Sequence, residues 1–302
     1  MLQHTVAKEI KEMPVSVYLK RAYPAIPAFA LREALKKKDV RINGVRSDSS
    51  AKVRGGDELK IYIDEKYATS SLRILYQDAG LLVVEKPQGL PVDTDGAGVG
   101  QDTLLARARA QFPSAQLCHR LDAGTGGAIM LSLDEKTHEK VLAEFKEERI
   151  GKHYAMALVG KPHPAEGRLT GYIAKDARAA TVQVYDRPVP GAKTAVTDYR
   201  VISTTAVQGV TVSFVRAQIH TGRTHQIRAQ MAHALWPLVG DDKYGDREVN
   251  ARLHAKMPSL WCEELCYEGR VFRSEPAFPL WKQTARENAK GASPLWTPHQ
   301  GE

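Results

Sequence analysis

Four stretches with strand-like alternation of apolar and polar residues follow one another in the second half of the chain. They constrain the fold more than any other sequence feature. They read KHYAMALVG (152–160), ATVQVYD (180–186), TAVTDYRVIS (194–203) and GVTVSFVRAQ (209–218). Alternation with a period of two residues is typical of a strand with one buried face. Many strands with few helices between them predict an α+β protein built on a largely antiparallel or mixed sheet.

A smaller unit is predicted at the N-terminus. The stretch LREALKKKDVRING places Leu31, Ala34 and Leu35 at helical spacing, and a short strand and an Asn43-Gly44 turn follow. The stretch VRGGDELKIYI then has the alternation of a second strand. The predicted organisation is a small helix–turn–strand domain over residues 1–64, a linker (EKYATSS, 65–71), a main domain over 72–280 and a polar tail over 281–302.

The chain of 302 residues is basic, with a formal net charge of +8. Residues 31–60 carry nine Lys or Arg against five Asp or Glu, a local excess of 9 − 5 = +4. Such an excess favours a polyanionic partner, of which nucleic acid is the commonest. Four basic residues are predicted to contact RNA phosphates: Lys36, Lys37, Lys38 and Arg41. A solvated basic face with no partner is the alternative.

Three cysteines (Cys118, Cys262 and Cys266) form no disulfide framework, and no spacing among them completes a zinc site. The first residues lack the apolar segment of a signal peptide, and no apolar run is long enough to span a membrane. These features predict a cytoplasmic protein without a bound metal.

Two polar motifs interrupt the apolar pattern. LCHRLDAGTGG (117–127) places Arg120 and Asp122 before a glycine-rich backbone, and TGRTHQIRAQMAH (221–233) gathers Arg223, His225 and Arg228 at a turn and a helix start. Read singly, the first is a structural ion pair and the second a solvated face. Read together, one carboxylate among several cations, without a metal set or a catalytic Ser or Cys setting, indicates an Asp that acts on an anionic substrate.

Several stretches resemble a known family. HRLDAGTGG, KHYAMALVG and TGRTHQIRAQMAHALWPLVGDDKYG are similar to signature stretches of the RluA-type pseudouridine synthases, and ILYQDAGLLVVEKPQGLPV is similar to that family's opening motif. The resemblance runs from about residue 72 to 268. Residues 13–64 resemble the small RNA-binding domain named after ribosomal protein S-four. The resemblance implies a pseudouridine synthase fold preceded by an S-four-like domain.

The resemblance also implies a reaction, the isomerisation of uridine in RNA. The glycosidic bond breaks, the uracil turns, and its carbon 5 bonds to the ribose. Asp122 matches the nucleophile, and attack on the sugar and attack on the base both stay open. Arg228 matches the basic residue that pairs with this carboxylate and keeps it ionised. Tyr154 is expected to lie against the uracil and to move a proton during the rearrangement.

Further substrate-binding residues are implied. Arg120 would fill the stack after the uridine is flipped out, and Leu265 would pack beside the base. Arg223 and His225 would bind the substrate. Lys86 either shapes the cleft or is a surface charge, and the bare backbone of residues 124–127 is expected to let the RNA approach closely.

The enzyme implied by the resemblance is a monomer that needs neither cofactor nor metal. Ribosomal RNA is the favoured substrate and transfer RNA the next. Two other functions are considered. A non-catalytic RNA-binding or assembly factor would not need Asp122, Tyr154 and Arg228, which are all present. A nucleoside or glycoside hydrolase would use two acidic groups, one of them a general acid.

Overall fold

The computed structural model describes residues 2–23, 26, 28–63, 72–93, 103–176 and 181–281. The predicted linker (65–71) and all of the predicted tail beyond residue 281 lie outside the described residues. The chain divides into two compact units, Met1–Arg73 with Leu90–Leu117 and Ile74–Gly89 with Cys118–Glu302. The predicted domain borders at residues 64 and 72 stay a prediction.

The described helices and strands are numbered here in chain order. The helices are α1 (Val15–Ala22), α2 (Ala28–Lys36), α3 (Leu104–Gln111), α4 (Glu135–Lys146), α5 (Gln226–His233) and α6 (Arg247–Arg252). The strands are β1 (Leu2–Thr5), β2 (Met13–Pro14), β3 (Val40–Ile42), β4 (Val45–Ser47), β5 (Lys52–Val53), β6 (Glu58–Ile61), β7 (Arg73–Gln77), β8 (Leu81–Lys86), β9 (Gln116–Leu117), β10 (Gly126–Ser132), β11 (Gly151–Val159), β12 (Glu166–Asp176), β13 (Thr181–Tyr185), β14 (Lys193–Val207), β15 (Val210–Ile219), β16 (Leu260–Tyr267) and β17 (Arg270–Arg273).

The first unit contains a small sheet in the order β1-β6-β3-β4 and a separate β2–β5 pair. The helical spacing predicted for α2 is confirmed, because Leu31, Ala34 and Leu35 are all buried in one apolar cluster. The Asn43-Gly44 turn is also confirmed. Both residues have positive φ and join β3 to β4, as a tight hairpin turn requires.

The second unit is dominated by one sheet in the order β13-β12-β14-β15-β11-β16-β10-β8-β7, and β17 pairs with β16. The pairs from β12 through β14, β15 and β11 to β16 are antiparallel, and so is β10–β8. Strands β10 and β16 are parallel over two registers, Gly126↔Trp261 and Gly127↔Cys262. The predicted α+β class with a largely antiparallel mixed sheet is confirmed.

Helix α5 is fastened to this sheet by buried amides. Gln226 Nε2 donates to Thr197 Oγ1 at 3.0 Å, and Thr197 Oγ1 donates to Gln230 Oε1 at 2.7 Å. Gln230 Nε2 donates to the carbonyl oxygens of Leu169 and Ala195. These bonds fix the helix that carries Arg228 against β12 and β14. No helix among the described residues is long and apolar enough to cross a membrane.

Candidate active site

Asp122 lies on a tight turn that leads into β10. The turn is closed by a hydrogen bond from the amide of Thr125 to the carbonyl of Asp122 at 3.0 Å. The end of β8 holds it from the other side, because Lys86 Nζ and the amide of Gly89 both donate to the carbonyl of Ala123, at 3.1 and 2.8 Å. The side chain of Asp122 is 28% exposed. A fixed backbone therefore presents a partly exposed carboxylate.

Lys86 supports this turn from inside the protein. Its side chain is 0% exposed, so the alternative that it is a surface charge is wrong. Its ammonium group also donates to the carbonyl of Pro87 at 3.1 Å. Burial lowers the pKa of Lys86 to about 7, against the opposing charge of Asp122. Because Lys86 is closed to solvent, it shapes the site through the turn and does not itself meet RNA in this conformation.

The glycines after Asp122 serve packing inside the domain. A Cβ atom on Gly126 would lie 2.2 Å from the ring of Trp261, and one on Gly127 would lie 2.2 Å from the carbonyl oxygen of Cys262. Gly127 also has φ +113, which side chains rarely adopt. The expectation that this bare backbone admits RNA is wrong at these positions, since β16 already fills the space.

Arg228 is held mainly by a residue that the sequence analysis did not single out. Its Nε and Nη2 atoms donate to the two carboxylate oxygens of Asp241 at 2.7 and 2.8 Å, and Nη2 also donates to Asp242 at 2.8 Å. Its Nη1 atom lies 3.4 Å from Asp122 Oδ2. The expected pair with Asp122 is present, but it is the longest of these contacts. Asp241 thus orients the guanidinium that faces Asp122.

Burial and pairing act in opposite directions on this group of charges. Burial by itself lowers the pKa of Arg228, but the hydrogen bonds and charge of Asp241, with those of Asp122, raise it above its usual value. Burial likewise raises the pKa of Asp241, and Arg228 with two backbone amides brings it below its usual value. Arg228 and Asp241 are therefore both ionised at neutral pH.

His225 stands on the other side of the carboxylate. Its Nε2 atom lies 3.8 Å from Asp122 Oδ2, and its Nδ1 atom lies 2.9 Å from Tyr244 Oη. His225 precedes α5 with φ 52, in the left-handed region. Burial lowers the pKa of His225, although the charge of Asp122 opposes the shift. The ring is therefore neutral at neutral pH.

Tyr154 and Leu265 lie on the two central strands β11 and β16. Tyr154 pairs with Cys262 in the sheet register. Burial raises the pKa of Tyr154 well above its usual value, and Cys262 and the charge of Asp122 add to the effect. Tyr154 is thus a neutral phenol. Leu265 is fully buried opposite Lys152, so its side chain belongs to the core packed against the sheet.

Arg120 and Arg223 have different surroundings. Arg120 is exposed on the loop that carries Asp122. Arg223 Nε donates to the carbonyl of Thr194 at 2.8 Å, and its Nη2 lies 3.9 Å from Glu148. The structure therefore brings His225 and Arg228 within 4 Å of Asp122. The contacts of Arg120 and Arg223 with RNA stay predictions.

Two further residues at this site were missed from sequence, Asp241 and Tyr244. Asp241 and Tyr244 belong to the GDDKYG stretch (240–245) directly after an apolar run. The acidic pair and the Tyr after an apolar run indicated functional residues. The spacing could not show that their partners are Arg228 and His225.

One group of side chains has the composition of a metal site. Ligand atoms of His153, Glu264 and Cys266 all lie within 4.8 Å of one another. Glu264 already accepts hydrogen bonds from Arg273 Nε at 3.1 Å and from the Cys266 thiol at 3.4 Å. The guanidinium next to the carboxylate opposes a second cation there. We assign no metal to this group.

The predicted RNA-binding residues of the first unit lie at the end of α2 and in β3. Lys36, Lys37 and Lys38 are exposed, and Lys37 pairs with Glu33 at 2.8 Å. The guanidinium of Arg41 lies 5.4 Å from the ring centre of Tyr62. An exposed basic row beside a stacked Arg suits a phosphate backbone, and RNA binding by these four residues stays a prediction.

Known proteins are similar to this chain over most of its length. A Ribosomal large subunit pseudouridine synthase D of Pasteurella multocida is 30% identical over 295 residues, covering 91% of this chain and 85% of the relative. A Ribosomal large subunit pseudouridine synthase C of Rickettsia felis is 27% identical over 282 residues, covering 85% and 89%. The solved structure of Human RNA Pseudouridylate Synthase Domain Containing 1 has a TM-score of 0.58 at 27% identity, covering 69% of this chain and 84% of that one.

These relatives, together with a sheet flanked by few helices and a carboxylate on a turn between an Arg and a neutral His, place the chain among the isomerases of the pseudouridine synthase class. The model of the RNA pseudouridylate synthase family matches residues 80–233, and the chain belongs to this family. The resemblance to the pseudouridine synthases is thereby confirmed, and the S-four-like domain at the N-terminus stays a prediction. The chain is an RNA pseudouridine synthase.

Proposed function

We propose that the chain isomerises specific uridines in structured ribosomal RNA, with Asp122 as the nucleophile. The observation that carries this proposal is the asymmetry of the Asp122 carboxylate. Arg228 Nη1 and His225 Nε2 both face its Oδ2 atom, at 3.4 and 3.8 Å. Within the described part of the chain, no hydrogen-bond donor faces Oδ1. Arg228 donates a hydrogen bond to Oδ2, and we infer that Oδ1 is the oxygen that attacks.

Each neighbour has a role in this reaction. Arg228 stabilises the carboxylate before attack and again when the carboxylate leaves. Tyr154 enters the reaction as a neutral phenol, because its pKa is raised, and its ring lies against the uracil. The C1′–N1 bond breaks, the uracil turns and C5 bonds to C1′; C5 then loses its proton and N1 takes one up, so the product is an isomer of the substrate. Attack on the sugar and attack on the base are both compatible with this arrangement.

The remaining residues serve binding. Arg120 takes the place of the flipped uridine in the stack, and Arg223 and His225 border the bound nucleotide. Lys36, Lys37, Lys38 and Arg41 contact phosphates of the same RNA. We further propose that the protein acts as a monomer in the cytoplasm without a metal, and that transfer RNA is the second substrate class.

The hydrolase alternative needs a general acid near the nucleophile. Asp241 and Asp242 are carboxylates near Asp122, because both accept hydrogen bonds from Arg228. Asp241 is fully buried and its pKa is lowered, so it does not supply a proton at neutral pH. This argues against hydrolysis at this site.

The decisive experiment compares Asp122→Ala with wild type on ribosomal RNA from cells that lack the protein. Pseudouridine formation should be lost in Asp122→Ala, while RNA affinity is retained, because phosphate contacts dominate affinity. Asp186→Ala removes an exposed carboxylate bound to His233 and is the matched control with full activity. Turnover by Asp122→Ala would refute the nucleophile. Modification of transfer RNA alone would refute the choice of substrate.

A further inference from the structure

The hydroxyl of Tyr244 connects a backbone amide to His225. The amide of Val182 donates to Tyr244 Oη at 2.7 Å, and His225 Nδ1 lies 2.9 Å from the same oxygen. A backbone amide can only donate, so Tyr244 Oη accepts from Val182. The described residues offer the phenolic hydrogen no acceptor other than His225 Nδ1. Donation from Tyr244 Oη to Nδ1 is the arrangement in which Tyr244 uses both its donor and its acceptor within the described residues.

The protonation of His225 follows from this bond. In a neutral imidazole one ring nitrogen accepts and the other carries the hydrogen. Because Nδ1 accepts from Tyr244, the hydrogen lies on Nε2. The groups that face the ring electrostatically are Asp122 from the catalytic turn, Arg228 from α5, and Asp241 and Lys243 from the segment after α5.

The Nε2 hydrogen then points toward the carboxylate. Nε2 lies 3.8 Å from Asp122 Oδ2, the oxygen that Arg228 Nη1 also faces. The other tautomer would turn a nitrogen lone pair toward the same negative oxygen, and the two would repel. The choice between the tautomers thus decides whether His225 supports or opposes the ionised Asp122.

We propose that Tyr244 is a positioning residue that fixes the tautomer of His225, so that the Nε2–H group faces Oδ2 of Asp122 beside Arg228 and supports the ionised carboxylate. The catalytic part of this proposal rests on Asp122 being the nucleophile. The tautomer itself does not, because it follows from hydrogen-bond partners. Tyr244 acts through His225 and does not touch the substrate.

The first test measures the tautomer directly. Protein labelled with ¹⁵N in histidine gives long-range ¹H–¹⁵N spectra in which the two tautomers have different nitrogen shifts. His225, assigned by its loss in His225→Gln, should carry its hydrogen on Nε2 in wild type. Tyr244→Phe keeps the ring beside Arg228, whose guanidinium lies 5.4 Å from the ring centre, and should shift His225 toward a mixture of tautomers.

Tyr185→Phe is the matched control, since that hydroxyl bonds to Gln183 on the same strand. It should leave the His225 spectrum unchanged. A hydrogen on Nδ1 in wild type, or an unchanged His225 in Tyr244→Phe, would overturn the proposal.

The second test is a double-mutant cycle on single-turnover rates with saturating RNA. Tyr244→Phe should slow the wild type by about five- to tenfold, which corresponds to one hydrogen bond. His225→Gln places an amide donor near the position of Nε2 without a tautomer to select. In that background Tyr244→Phe should change the rate by less than about twofold.

Equal slowing in both backgrounds would mean that Tyr244 acts through general stability, and it would overturn the positioning role. Failure of the proposed function is distinguishable, because it would leave Asp122→Ala active whatever the tautomer of His225.

Discussion

Arg228 faces Asp122 through only one of its nitrogens, and the rest of its guanidinium is bound elsewhere. Asp241, which is fully buried, takes two parallel hydrogen bonds from it. Two parallel hydrogen bonds between a planar guanidinium and a planar carboxylate fix the orientation of the guanidinium better than a single contact does. The geometry at the nucleophile therefore depends on a carboxylate that does not touch it.

Asp241→Asn should weaken both folding and catalysis. It leaves the buried guanidinium without its main counter-charge, and breaking a buried pair costs about 3–5 kcal/mol. Asp242→Asn is the matched control, because Asp242 bonds to the same nitrogen but is 68% exposed; it should cost less than about 1 kcal/mol. Urea unfolding and single-turnover rates measure both effects. Equal losses in the two variants would contradict the orienting role of Asp241.

The sequence predicted which residues belong to the site better than it predicted why each of them is needed. Asp122, His225 and Arg228 could be recognised because their motifs are local and contiguous. The reason for Gly126 and Gly127 could not, because the atoms that fill the space belong to Trp261 and Cys262 on a distant strand. The alternatives for Lys86 stayed open for the same reason, since its carbonyl partner Ala123 is on another segment.

Helix α5 carries Arg228 and begins directly after His225, the two residues that face Asp122, and its position depends on a buried polar network. Thr197 lies at the centre, accepting from Gln226 and donating to Gln230. Such a network stabilises a helix only when every member is satisfied.

Thr197→Val should therefore loosen α5. Valine has the shape of threonine but a methyl group in place of the hydroxyl, so Gln230 Oε1 loses its donor. Leaving a buried acceptor unpaired lowers the free energy of unfolding by about 1–3 kcal/mol. Thr204→Val on the same strand, where the hydroxyl bonds to Ser213 at 2.9 Å, is the control and should cost less. Hydrogen exchange of the α5 amides and thermal unfolding provide the measurement. Unchanged protection of α5 in Thr197→Val would show that apolar packing alone holds the helix.

The strands β11, β13, β14 and β15 were predictable, because apolar and polar residues alternate in their sequences. Their order in the sheet was not. The insertion of β16 between β11 and β10 brings a late segment next to an early one, and period-two alternation carries no information about the neighbouring strand.

The first unit carries more than half of the net positive charge of the chain, while the proposed catalytic residues belong to the second unit. The apolar cluster of the first unit is formed from residues 6 to 61. Substitution of its surface lysines can therefore change RNA binding without removing core residues.

The triple variant Lys36→Gln, Lys37→Gln and Lys38→Gln should bind RNA more weakly and with a flatter salt dependence. Each lost phosphate contact reduces the logarithmic salt slope by about 0.7–0.9, so the loss of three contacts should change it by about 2–3. The control substitutes Lys8, Lys11 and Lys20 of the same unit by Gln and removes the same net charge. Affinity titrations at several salt concentrations separate them. Identical slopes for both triple variants would contradict a specific contact at the end of α2.

The short parallel junction between β10 and β16 has a consequence for the protein as it is made. A ribosome delivers Asp122, Tyr154 and Arg228 well before it delivers β16, the strand that lies between β10 and β11. A nascent chain that ends before residue 260 holds all three proposed catalytic side chains but lacks the strand that sets their spacing. We therefore expect the enzyme to become competent only after β16 has been synthesised, and a product that terminates before residue 260 to be inactive toward RNA.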